Sequence, residues 1–74
     1  MSKLQINILD FLVSCIGAFA ERFSLTNQAS YSYLSEYKGL DFLLNHYAAE
    51  HTLSIEDAVD DITTICHRNG GGLL

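Results

Sequence analysis

The residues best suited to chemistry lie near the middle of this 74-residue chain, where His46, Glu50 and His51 come close together in sequence. His46 and Glu50 are one helical turn apart, so an imidazole and a carboxylate could share a metal ion. Their spacing is not that of the His-Glu-x-x-His zinc motif, and no fourth ligand follows at a recognisable distance. An imidazole at a helix end, as predicted for His51, commonly bonds the terminal carbonyls. We therefore expect no metal or other cofactor, and we keep a metal- or ligand-binding site here as the alternative.

Three aspartates in the last predicted helix form a second candidate. Asp57, Asp60 and Asp61 fall on one helical face and could hold a hard cation such as magnesium. Carboxylates in the first turns of a helix are also favoured by the helix dipole, even when they face only solvent. The solvated acidic face is the interpretation that we adopt.

Catalysis by the two cysteines is not expected. A nucleophilic thiol needs a nearby base, and His67, which adjoins Cys66, points about 100° away from it on a helix. Both Cys15 and Cys66 fall on apolar helix faces, which predicts free, buried thiols in a reducing cytoplasm. The glycines at 70–72 follow a helix and so do not form a phosphate loop. We predict that the chain is not an enzyme. A third hypothesis is that it is an enzyme subunit whose active site is completed by another chain.

Four tyrosines suit a surface that is partly buried and partly wet. Tyr31, Tyr33 and Tyr37 lie in a segment with a single aliphatic residue, Leu34, and Tyr47 follows later. Tyrosine is enriched at protein interfaces because it has an apolar body and a polar tip. Ordinary packing with each hydroxyl in solvent accounts for the same residues, and both interpretations stay open.

Charge argues against a polyanionic partner. The net charge is −5, and the cationic side chains are scattered: Lys3, Arg22, Lys38 and Arg68. Nucleic acid binding needs a clustered basic face, as does attraction to an anionic membrane surface. The apolar stretch at 4–20 is shorter than the roughly 20 residues that span a bilayer, and Asp10 interrupts it. We expect neither nucleic acid nor membrane as a partner, and a cytoplasmic location.

Helical periodicity without any proline predicts an all-α fold. We expect a compact bundle of about four helices near 4–23, 27–38, 41–50 and 54–68, the first and last long and the two between them short. Thr26, Asp41 and Ser54 are the predicted N-caps. The chain forms a single helical domain over 1–74, with a flexible glycine-rich tail at 69–74.

The first helix is apolar on more sides than its short neighbours can cover. Leu9, Leu12, Cys15, Ile16, Phe19, Ala20 and Phe23 recur at spacings of three and four, and further apolar residues flank that stripe. A core this small seldom supplies more than about 3–5 kcal/mol, so a partner subunit is an expected source of stability. We expect a homodimer or a contact with another protein, which the resemblance described next would make a bacterial protein partner. The predicted interface residues are Ile8, Phe11, Phe19, Tyr31, Tyr33 and Tyr37.

The chain resembles a family of small bacterial helical proteins catalogued as domain of unknown function 3791. The resemblance lies in FLVSCI at 11–16, YKGLD at 37–41, the spacing from Tyr47 to His51-Thr52, and Ser54 followed by Glu56 and AVDDI at 58–62. Gly17 departs from it, because such proteins tend to carry an acid there. The resemblance implies a bacterial cytoplasmic protein with no assigned activity. Genes of this kind can lie beside toxin-like or ADP-ribosyltransferase-like partners.

The leading expectation is therefore a non-catalytic helical protein–protein interaction module that self-associates. The resemblance adds an antitoxin-like or accessory role in regulating a bacterial partner enzyme.

Overall fold

Five helices make up the fold in the computed structural model, which describes residues 1–73. They are α1 (Lys3–Arg22), α2 (Asn27–Glu36), α3 (Gly39–Asn45), α4 (Tyr47–Glu50) and α5 (Ile55–Arg68). Within the described residues there is no strand, so the predicted all-α class is confirmed. The long first and last helices are confirmed as well, whereas the predicted third helix is divided in two.

Side-chain caps fix the start of the three longest helices. Ser2 and Gln5 form a reciprocal capping box at the start of α1, one residue before the predicted boundary. The Thr26 hydroxyl accepts from the Ala29 amide at 3.0 Å, and the Ser54 hydroxyl accepts from the Asp57 amide at 3.0 Å. These bonds satisfy amides that have no partner within the helix. The predicted caps at Thr26 and Ser54 are confirmed.

The predicted cap at Asp41 is wrong, because α3 already begins at Gly39. Lys38 precedes it with φ of 72°, a left-handed conformation that turns the chain sharply after α2. A Cβ at Gly39 would lie 2.8 Å from Leu34 Cδ2 and 3.0 Å from Cys66 Sγ. The chain therefore has to turn at Lys38 so that the glycine meets the core, and Asp41 falls inside the first turn of α3.

Replacing Lys38 by glycine is expected to stabilise the fold. A left-handed residue with a Cβ costs roughly 1–2 kcal/mol, and glycine removes that cost. Only an exposed ion pair with Asp41 at 3.9 Å is lost, and such pairs contribute little. Urea denaturation should show a gain of about 1 kcal/mol, reduced by the greater entropy of glycine in the unfolded chain. Ser35→Gly, at an exposed position within α2, should instead destabilise; equal effects of the two changes would contradict the strain argument.

The core is formed where α5 packs against both α1 and α3, with α2 closing the side of α1. On α5 the buried stripe follows the predicted spacing: Ala58, Val59, Ile62 and Cys66. Facing it are side chains of the other helices: Phe11, Cys15, Phe19, Leu34 and Leu43. The Arg22 guanidinium also reaches the Asp60 carboxylate at 2.6 Å, which joins the end of α1 to α5.

The tail through residue 73 packs against the core, whereas the flexibility expected for 69–74 stays a prediction. The Gly71 amide donates to the Cys66 carbonyl at 2.9 Å, and the Leu73 amide donates to the Tyr33 hydroxyl at 3.3 Å. Gly71 is buried, and a Cβ there would lie 2.9 Å from the Cys66 carbonyl oxygen and would overlap the Tyr33 hydroxyl. Absence of a side chain is what lets the tail fold back. Residue 74 of the predicted tail lies outside the described residues.

Candidate functional site

The most distinctive surface of the protein is an uncovered apolar line along α1. Ile6, Leu9 and Val13 are spaced by three and four residues, so they lie on one side of the helix. Their exposed fractions are 47%, 46% and 67%, and what is informative is that three such side chains adjoin one another. We call these three residues the α1 stripe. Solvent therefore faces a continuous apolar surface on the side of α1 that the other helices leave open.

A shallow groove runs beside the α1 stripe. Its volume is about 260 Å³, and one of its walls is the half-exposed Leu44 of α3. The residues that line it are Met1, Gln5, Ile8, Leu9, Leu12 and Leu44. The lining residues carry no ionisable side chain, so the groove suits an apolar occupant.

The prediction of Phe11 and Phe19 as interface residues is wrong, because both side chains lie in the core. Phe11 is 9% exposed and its ring meets that of Tyr47 edge-on, with centroids 5.6 Å apart. Phe19 is fully buried and stacks on Tyr33, with centroids 5.6 Å apart. Tyr33 of α2 covers the Phe19 ring, and Tyr47 in the single turn of α4 covers the Phe11 ring. Both helices are short, yet each places one aromatic side chain over α1.

The other predicted interface residues differ in position. Ile8 is half-buried and lines the groove. Tyr31 is 54% exposed on α2 and does not line the groove. Tyr33 and Tyr37 are half-buried, with ring centroids 4.7 Å apart. Tyr33 packs on the core and holds the tail, so packing accounts for it without an interface.

Sequence reasoning missed Leu9, Val13 and Leu44 as surface residues. It assigned Leu9 to the buried stripe of α1 and treated Val13 as a flank of that stripe. The apolar positions of α1 in fact follow two lines, one through Phe11 and Cys15 to the core and one along the α1 stripe to solvent. The signal that separates them is the register against α5, which the sequence does not contain.

The structure does not bring His46, Glu50 and His51 together. His46 is exposed and packs on the Phe42 ring at 4.8 Å, and the exposed His51 has its Nδ1 2.6 Å from the Tyr47 carbonyl oxygen. Glu50 is buried, with 6% exposure. Over residues 1–73 no group of three His, Cys, Asp or Glu side chains is arranged to hold a metal ion.

The three aspartates of α5 also have separate surroundings. Asp60 pairs with Arg22, and Asp61 faces the carboxyl of Glu50. Asp57 lies in the first turn of α5, where the helix dipole favours a carboxylate. The structure therefore supports the solvated acidic face for Asp57 and gives Asp61 a different neighbour.

Both cysteines are free and buried, as predicted. Burial raises the pKa of the Cys15 thiol to about 11, and the charge of Glu50 adds to that rise. Burial also raises the pKa of Cys66, against the opposing effect of a hydrogen bond from the Gly39 amide. Both thiols are neutral at physiological pH, and a neutral thiol is a weak nucleophile.

By length and composition α1 could cross a membrane, and it is the one helix among the described residues that meets this test. Of its most apolar 18-residue window, 17% is buried in the fold. Core helices of soluble proteins and N-terminal signal sequences meet the same test. The rest of the chain covers the face of α1 that carries Phe11, Cys15 and Phe19 and leaves the opposite face in solvent.

Comparison with protein families identifies the chain. A family model described as "Protein of unknown function (DUF3791)" matches residues 10–69. The chain belongs to this family. The matched span runs from the middle of α1 to the end of α5, so it includes every core residue described above. No curated protein and no solved structure matches the chain. Membership in DUF3791 therefore carries no activity with it.

Proposed function

We propose that this protein is a non-catalytic interaction module that self-associates through the α1 stripe. The observation that carries the proposal is the exposure of Ile6, Leu9 and Val13 in one line beside an apolar groove. Monomeric soluble proteins rarely expose a contiguous apolar patch of more than a few hundred Å². Burying such a surface contributes about 25 cal/mol for each Å² of apolar area removed from water.

A second copy of the chain is the occupant that we favour. A helix surface can pack on its own copy across a two-fold axis, since each partner then offers the same apolar line. Asp10 is one turn from both Ile6 and Val13, so it borders the stripe; it is exposed, and a two-fold contact centred on Leu9 and Val13 would leave its carboxylate at the solvated rim. The small size of the core supports the same proposal, because a domain of this length commonly gains stability from a partner.

Replacing Val13 by glutamate is expected to weaken self-association. Val13 is 67% exposed, so the fold tolerates a charge there, whereas a dimer would have to bury it. Sedimentation equilibrium from low to high micromolar should show a dimer for the unchanged protein and at least about a tenfold larger Kd for Val13→Glu. The thermal midpoint of the unchanged protein should also rise with concentration, by mass action.

Ser14→Glu is the matched control, because it adds the same charge at the next, exposed position on a different side of α1. It should leave the Kd nearly unchanged. A stable monomer at all concentrations would end the proposal of self-association. Equal weakening by Val13→Glu and Ser14→Glu would show that net charge, and not the stripe, is responsible.

As a second role, we propose that the protein binds a bacterial partner enzyme in the cytoplasm. It would act there as an antitoxin-like or accessory regulator of that enzyme. Family membership is compatible with this role, and buried free thiols suit a reducing compartment. The test is co-purification from the native host with wild-type and Val13→Glu baits. A partner enzyme retained by the first and lost by the second would place the regulator's contact on the α1 stripe.

A further inference from the structure

Glu50 is the last residue of α4, a helix of a single turn. His46 separates α4 from α3. The Glu50 side chain is 6% exposed, and its Oε1 is fully buried with no hydrogen-bond partner among residues 1–73. Burial, and then a hydrogen bond with the Asp61 carboxyl on α5, raise the pKa of the Glu50 carboxyl. Burying an ionised carboxylate without a cation costs folding free energy. The buried position of Glu50 therefore requires that its charge be neutralised in another way.

We propose that Glu50 and Asp61 share one proton, and that this carboxyl pair holds α4 against α5 in a pH-dependent way. Two carboxyl groups that face each other in a buried site cannot both be ionised at low cost. With one proton between them, the Glu50 hydroxyl donates a hydrogen bond to the Asp61 carboxylate. Without that proton, two negative charges face each other and α4 loses its polar contact with α5.

The surroundings of the pair provide no positive charge. From α1 the neighbouring titratable group is Cys15, whose thiol is neutral, and from α5 it is Asp61. On α4 and its flanks, His46 and His51 are exposed and pack on aromatic rings. Both ion pairs within the described part of the chain lie elsewhere, at Arg22–Asp60 and Lys38–Asp41. Since no cationic side chain among the described residues pairs with Glu50 or Asp61, a bound proton is what reduces the negative charge of the pair.

The sign of the pH dependence follows from these contacts. Burial, followed by the hydrogen bond and charge of Asp61, raises the pKa of Glu50 from 4.5 to about 7. Between these two values the unfolded chain has released the proton and the folded chain still holds it. Stability is therefore greatest below pH 4.5 as far as this group is concerned, falls as the pH rises towards 7, and stays low above it.

Opening of α4 has a defined consequence for the core. The Tyr47 ring on α4 covers the edge of Phe11, with centroids 5.6 Å apart. Loss of the Glu50–Asp61 contact would loosen this cover, so Phe11 would become more accessible as the pH rises. The inference concerns the fold of one chain and does not depend on self-association.

The test is urea denaturation between pH 5 and pH 8.5 at constant ionic strength. For the unchanged protein the unfolding constant should rise on the order of a hundredfold across this range. Glu50→Gln, which is uncharged at every pH, should lose most of that rise. Glu21→Gln is the matched control at an exposed position; it keeps His46, His51 and His67, so its curve should follow that of the unchanged protein.

Carboxyl NMR of the unchanged protein tests the pair without any substitution. Glu50 should titrate near pH 7, and Asp61→Asn should lower that midpoint while leaving it above 4.5, because burial remains. A Glu50 midpoint near 4.5, or the same pH dependence with Glu50→Gln, would overturn the proposal. Stabilisation by Mg²⁺ or Ca²⁺ at pH 8 that Glu50→Gln abolishes would also overturn it, since the pair would then be a cation site.

Discussion

Phe11→Glu is expected to unfold the protein. The Phe11 side chain is 9% exposed and belongs to the core formed with α5. Truncating a buried phenylalanine typically costs about 3–5 kcal/mol, and burying an unpaired carboxylate adds to that cost. A domain of this size seldom has more than about 3–5 kcal/mol in total. Circular dichroism should show little helix at 25 °C.

Val13→Glu is the matched comparison, because it places the same charge on the same helix two residues away. Val13 is 67% exposed, so this variant should keep its helical spectrum at high dilution as well as at high concentration. A folded Phe11→Glu protein with an unchanged melting temperature would mean that the assigned core face of α1 is wrong. If Phe11→Glu does unfold the chain, it cannot serve as a test of self-association, and Val13 becomes the position of choice.

Ile62→Ala is expected to bring the protein to the edge of unfolding. Ile62 is fully buried in the middle of α5, one turn from Val59 and Cys66. Leaving a cavity of this kind typically costs about 2–5 kcal/mol. Urea denaturation should show the midpoint near zero denaturant at 25 °C, or no folded baseline at all.

Asp61→Ala tests the neighbouring position on the same helix. Asp61 is only half-buried and its partner Glu50 is acidic, so its removal should have a mild effect at pH 8, where the repulsion between the two carboxyls is relieved. A melting temperature that Ile62→Ala leaves unchanged would contradict the buried stripe of α5. A loss with Asp61→Ala as large as with Ile62→Ala would mean that the Asp61 side chain makes a stabilising contact, because alanine itself favours the helix.

Local signals explain the parts of the fold that the sequence predicts well. For α5, Ser54 as the N-cap, acids in the first turn and an apolar stripe through Ile62 all agree, and the observed helix begins and ends within a residue of the prediction. Thr26 likewise marks the start of α2. Each of these features depends on residues within one or two turns, which is why a single sequence suffices.

The features that the sequence did not predict depend on contacts between distant residues. α3 begins at Gly39 because the backbone there meets Leu34 and Cys66 from two other helices. The tail folds back because Gly71 fits beneath the Tyr33 hydroxyl. Glu50 looked like a possible metal ligand in a helical pattern, and its burial opposite Asp61 follows from how α4 meets α5.

The position of α5 at the centre of the core has a consequence for how the chain is made. The contacts of α2 with α1 and α3 can form early, but because α5 packs against both α1 and α3, neither of those helices completes the burial of its apolar face until Cys66 has left the ribosome. Synthesis proceeds at about 5–20 residues per second, so α1 would wait for seconds with its stripe, and the part of its core face that meets α5, in water. During that interval the nascent chain is at its most prone to aggregation, and a chaperone that binds apolar helices would compete for α1 before folding completes.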